Sequence, residues 1–130
     1  MKRTLLSITL ISVFAALCSA QDDAAYMTAM KTVNPSLGAV RTAMTAKDNA
    51  AVAAEAKKLV DAFTTINAYW TAKKADDAIG FSATARDAAK ALAAATDADA
   101  QTAAVTAMRG TCNQCHMAHR AGGGGQFTIK

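Results

Sequence analysis

Proline occurs once in 130 residues, and four of the seven glycines are spent in a single run near the C-terminus. Turn-rich all-β folds need far more of both. Valine, isoleucine and threonine never gather into alternating runs, so no half-buried strand is supported. Aromatic residues make up only 5% of the chain, and no cluster of Lys and Arg interleaves with them. A nucleic-acid surface is therefore not expected, and the net charge of +4 does not argue for one. No internal repeat marks a solenoid. Cysteine is scarce too, with three in all, and one of these lies in a leader-like segment.

That segment is N-terminal. Lys2 and Arg3 form a positive start, Thr4 to Leu17 an apolar run, and Cys18-Ser19-Ala20 a small-residue cleavage site. Together these have the layout of a secretory signal peptide over residues 1–20, with export to the periplasm and cleavage after Ala20. The apolar run is too short to span a bilayer comfortably. Cleavage removes Cys18, Lys2 and Arg3, leaving 12 basic against 10 acidic residues and only Cys112 and Cys115 as thiols. No structural disulfide is then available.

What the chain has in abundance is alanine, the best helix former, and its apolar residues recur at helical spacing. Four helices follow. The first starts after Asp22 and Asp23 and carries Met30, Val33, Leu37, Val40 and Met44 on one stripe, with a kink or local break expected near Asn34 because of Pro35. The second opens at Asp48 or Asn49 and repeats Val52, Ala56, Leu59, Phe63, Ile66 and Trp70. Residues 73–80 read as a loop. The third runs from about Ser82 through Ala85, Ala88 and Leu92, and the fourth starts near Asp97 or Asp99. Residues 21–121 thus form one domain, an all-α antiparallel four-helix bundle. Residues 122–130, opening with Gly122 to Gly125, read as a flexible tail.

The chemistry lies on the fourth helix. Cys112-Asn113-Gln114-Cys115-His116 has the spacing of c-type haem attachment. On a helix, positions i, i+3 and i+4 share one face, so two thiols can reach the two vinyl groups of one porphyrin while the adjacent imidazole binds the iron. A zinc site from Cys112, Cys115, His116 and His119 would need ligands from one line of one helix to surround the ion. A redox dithiol belongs at a helix N-terminus, behind a strand, and no strand precedes this pair. One haem c per chain, covalently held near the end of the last helix, is the expectation.

In an antiparallel bundle that motif lies level with the start of the first helix, the end of the second and the start of the third. Tyr26, Met27, Met30, Tyr69, Trp70 and Phe81 fall in that layer. Met27 and Met30 are both sulfur donors there, whereas Met44 is fourteen residues from Met30, roughly 20 Å along the helix.

The C-terminal motif, with Arg120 four residues beyond His116 and three amphipathic helices before it, resembles the class II cytochromes c, the cytochrome c′ family. Met30-Lys31 is similar to the Met-Lys of the family's low-spin members. The resemblance implies that His116 and Met30 are the axial ligands and that the protein carries single electrons to or from redox proteins, without catalysing a reaction of its own. It implies, as the alternative, five-coordinate iron that binds nitric oxide or carbon monoxide. Members often pair as antiparallel homodimers through their first two helices. Arg120 itself reads as a haem-pocket cation that faces either the surface or a propionate. His119 departs from the family's pattern, which commonly has an aromatic residue at that place.

Overall fold

Asp48 and Asp97 start two of the helices in the way their side chains allow. Asp48 accepts a hydrogen bond from the Ala51 N–H at 2.9 Å, and Asp97 accepts one from the Ala100 N–H at 2.8 Å. Each satisfies one of the backbone donors that a helix N-terminus leaves open. The computed structural model describes residues 4–123 and 128–130, and side-chain surroundings from residue 22 onward. Its helices are α1 (Thr4–Thr45), α2 (Asn49–Lys73), α3 (Asp76–Ala94) and α4 (Ala98–His119). The fold is therefore all-helical, with the four helices packed as a bundle. No described helix is long and apolar enough to cross a membrane. Lys2 and Arg3 of the expected leader lie outside the described residues.

Helix α1 opens at Thr4 and not after Asp22 and Asp23, so neither aspartate starts it. Three further differences from the sequence reading have local causes. Helix α1 passes through Pro35 without a break. Proline removes a single ladder bond, the one to the Lys31 carbonyl, and the buried stripe of Val33, Leu37 and Val40 holds both sides against the core. The loop expected over residues 73–80 shrinks to Lys74 and Ala75, because Asp76 and Asp77 fill the first turn of α3 and complement its dipole. Gly80 then lies inside the helix. At the C-terminus, Thr128–Ile129 pairs antiparallel with Arg120–Ala121, matching Arg120 to Ile129 and Ala121 to Thr128. The Lys130 N–H donates to the His119 carbonyl at 2.9 Å. The end of the expected tail thus closes onto the exit of α4.

Two helix ends share a less usual solution. After α1 the chain turns through Lys47, and after α2 through Lys74, each at φ 56°. Around Lys74, the Lys74 N–H bonds the Thr71 carbonyl and the Ala75 N–H bonds the Trp70 carbonyl. The same paired pattern surrounds Lys47. This is the Schellman closure, in which glycine is the usual left-handed residue.

The core follows the predicted stripes. Val52, Ala56, Leu59, Phe63, Ile66 and Trp70 of α2 are all buried, against Val33, Leu37 and Val40 of α1 and Ala85, Ala89 and Leu92 of α3. Helix α4 contributes Ala104 and the fully buried Met108. Helix α1 packs on α2, α2 on α3 and α3 on α4, but direct contact between α1 and α4 is slight. Polar side chains fasten the ends. Gln101 donates to Asn49 Oδ1 at 2.9 Å and to the Ala95 carbonyl at 3.1 Å, tying the starts of α2 and α4 to the α3–α4 connection. Near the other end Asn67 donates to the Ile79 carbonyl and to Ser82 Oγ.

Candidate haem site

Cys112, Cys115 and His116 lie on α4 and line one pocket with Tyr26 and Met30 of α1, Trp70 of α2 and Phe81 of α3. Their own helix brings the first three to one face, and the slight α1–α4 contact leaves the space they face. The cavity measures about 30 Å³, room for a water or two and far below the volume of a ligand pocket. Its walls are almost wholly apolar. Phe63, Ile66, Ser82, Ala85 and Thr111 complete the lining and are not among the site residues expected from the sequence. Phe63 and Ile66 could have been found, since they stand seven and four residues before Trp70 on its own stripe.

Three candidates are set differently. Met27 is 41% exposed and does not line the pocket, which leaves Met30 as the sulfur donor that α1 brings there. Tyr69 stands behind the lining, its ring stacked on Tyr26 at 4.2 Å and edge-on to Trp70 at 5.2 Å. Arg120, half-buried in the strand after α4, acts on the pocket through its charge, which reaches both His116 and Tyr26. Met117, 71% exposed, points away from any such role.

The electrostatics favour neutral donors. Burial, helped by the Arg120 charge, lowers the His116 pKa, so its imidazole is unprotonated and free to ligate at neutral pH. Burial raises both thiols, and Cys115 reaches about 11 with Cys112 and Asp77 contributing. Such thiols are protonated at neutral pH and are neither paired with each other nor activated. They also lie deep in α4, fourteen and seventeen residues past Ala98, far from the positive end of its dipole. A thioredoxin-type reactivity has no support in this setting.

His119 has a structural partner. Its Nε2 lies 2.8 Å from Asp77 Oδ2 and its ring packs on Trp70 at 4.8 Å between centroids. It thus joins the end of α4 to the start of α3 and fills the place of an aromatic residue, so it is not turned to solvent. Among the described residues no three His, Cys, Asp or Glu side chains converge to hold a metal ion by themselves. The zinc arrangement is accordingly not formed.

The Trp70 indole N–H influences the Tyr26 hydroxyl, favouring its ionised form slightly, yet it makes no hydrogen bond and is buried without a partner. Burial dominates at Tyr26 and pushes its pKa up to about 12. By their chemistry the donors and the lining suit a haem, with two neutral thiols at the attachment spacing, an adjacent unprotonated imidazole, a thioether on another helix and apolar walls, while the cavity between them would have to open to admit one. Compared with family models, with curated proteins and with solved structures, the chain matches none.

Proposed function

We propose that this chain is an exported c-type cytochrome that carries single electrons, an antiparallel four-helix bundle with one haem c. The observation that supports it most is the convergence of Cys112, Cys115 and His116 from α4 with Met30 from α1 on one apolar pocket. Cys112 and Cys115 would hold the group covalently, and His116 of α4 and Met30 of α1 would ligate its iron. The group supplies an iron that cycles between two oxidation states. The protein's part is to keep both ligands in place through the cycle, so that little has to reorganise when an electron arrives or leaves. Met30 is held by the helix that also buries Val33 and Leu37, and His116 by the clasp of His119 on Asp77. A thioether ligand favours ferrous iron and raises the potential relative to two nitrogen ligands.

The apolar walls exclude water from the group, and Phe81, Trp70 and Tyr26 supply much of that cover. A macrocycle would have to enter by opening the bundle, and the α1–α4 seam is where direct packing is slight. Export to the periplasm with cleavage after Ala20 accords with this chemistry, and the partners are redox proteins. The groove along α1 and α2, lined by Ala25, Thr28 and Ala62 and by the charged Lys58 and Asp61, is where a second copy would pair. Acid-acetone extraction of the purified protein tests the central point. Colour is expected to stay with the chain, and to leave it in the Cys112→Ala, Cys115→Ala double variant. Colour that leaves the unaltered chain overturns the reading.

A further inference from the structure

The chain has six methionines, and the bundle sorts them by their access to solvent. Met108 is fully buried, Met30 and Met44 are half-buried, Met27 is 41% exposed and Met117 is 71% exposed. A side chain as open as Met117 adds little to the core. Its surroundings are polar instead. Asn113, one turn earlier on α4, donates from Nδ2 to the Met117 sulfur at 3.7 Å, and Lys130 donates from Nζ to the Met117 carbonyl at 3.4 Å. Lys130 is itself anchored, by its N–H on the His119 carbonyl at 2.9 Å and by the pairing of Thr128–Ile129 with Arg120–Ala121.

A thioether sulfur is a weak acceptor, so an amide and an ammonium gathered about this residue gain little from it. A sulfoxide oxygen, which carries much of the negative end of the S–O dipole, is a strong one. Asn113 and Met117 stand at the i, i+4 spacing that lets two helical side chains meet, which places an oxygen added to the sulfur within reach of the amide. Lys130 brings its positive charge to the last turn of α4, where the helix dipole favours it. In a core the same oxidation is damaging, because it turns a flexible apolar side chain into a polar one. At Met117 little apolar contact is lost and two donors receive a better acceptor.

We propose that Met117 is a reversible oxidation site, at which hydrogen peroxide converts the thioether to a sulfoxide that Asn113 and Lys130 hold. One oxygen passes from the peroxide to the sulfur, which gives a lone pair to the new bond as the O–O bond breaks, and the other oxygen leaves as water. The sulfur is oxidised by two electrons and the peroxide reduced by two. The return step belongs to a methionine sulfoxide reductase with two thiols as reductant; these end as a disulfide while the oxygen departs as water. The cycle consumes oxidant at the surface, and its oxidised form draws the last turn of α4 tighter, immediately beyond Cys115 and His116. It needs no group bound in the pocket.

The test is a time course of the purified full chain in hydrogen peroxide, with the oxygen gained at each methionine read by peptide mass spectrometry. Met117 should oxidise first, ahead of Met27 and several-fold faster than Met30, Met44 and Met108. A methionine sulfoxide reductase with its thiol reductant should remove the oxygen again. While Met117 alone is oxidised, the amides of residues 117–120 should exchange with deuterium several-fold more slowly than in the reduced chain. Asn113→Ala should abolish that slowing and leave Met117 the first to react. Met117→Gln, which carries an amide oxygen in place of the sulfoxide, should show the slowing without any oxidant, and Met117→Leu should show none with it. The proposal is overturned if another methionine reacts before Met117, if the reductase leaves the oxygen in place, or if oxidation does not slow exchange over residues 117–120.

Discussion

Truncating three methionines separates ligation from packing. Met108 is fully buried on α4, one turn before Cys112, whereas Met30 and Met44 are each half-buried on α1. Replacing a fully buried methionine by alanine costs about 2–5 kcal/mol through lost burial and the cavity left behind. A half-buried one loses roughly half as much apolar area, so Met30→Ala and Met44→Ala should each cost about 1–2 kcal/mol from packing. Against a total stability of about 5–15 kcal/mol, all three variants should fold. Urea titrations give the energies, and their slopes should stay constant, since none of the changes alters the surface exposed on unfolding. The optical spectrum should follow a different order. Met30→Ala alone is expected to turn the iron high-spin, lower the reduction potential and admit carbon monoxide, although its packing loss is no larger than that of Met44→Ala. Met108→Ala, the costliest, should leave the spectrum unchanged. The reasoning is refuted if the unaltered protein is already high-spin and binds carbon monoxide, or if Met30→Ala leaves the spectrum unmoved. In either case Met30 serves only as a wall, and gas binding becomes the better function.

Lys74→Gly should raise the urea midpoint, by the equivalent of about 1 kcal/mol, because Lys74 holds a left-handed conformation that costs a side-chain-bearing residue roughly that much. The His119 hydrogen bond lowers the Asp77 pKa below its ordinary 3.8. An acid depressed in the folded state adds stability that is fully present above its unfolded value and lost as pH falls through the folded one, so acid lability should begin below about pH 4. His119→Phe should remove that share of the acid sensitivity, as read from urea midpoints across the acid range. Mass spectrometry of the exported protein should show a chain beginning at Gln21, and an intact Met1 would refute cleavage.

The α2 stripe was legible in full because a strict heptad with large side chains leaves one way to bury them. Asp48 and Asp97 were legible for a related reason: a carboxylate at a helix start has one strong local role. The third helix was less so. Its first turns carry Asp76, Asp77 and Gly80, which read as loop residues until the helix dipole and the His119 contact are counted. For the site, the spacing of Cys112, Cys115 and His116 is local and could be read directly. Met30 against Met27 could not be decided by level alone, since three residues move a side chain around the helix as well as along it. The clasp of His119 on Asp77 joins positions 42 residues apart, and the pairing of Thr128 with Ala121 involves strands of two residues each. Neither leaves a periodic trace.

The slight contact between α1 and α4 has a consequence for how the molecule would respond to loading. Three helix pairs close against one another, and the fourth side is left to whatever fills the pocket. A ligand that could dissociate would close that side only in proportion to its concentration. A group fixed through Cys112 and Cys115 cannot be diluted away, so α1 would be clamped permanently. Before loading, α1 is the element with least holding it on one flank, and its amides should exchange with solvent faster than those of α2 and α3. Attachment would then act as the final latch of folding, and a chain that failed to receive its cofactor would present a loosened first helix to any protease in its compartment.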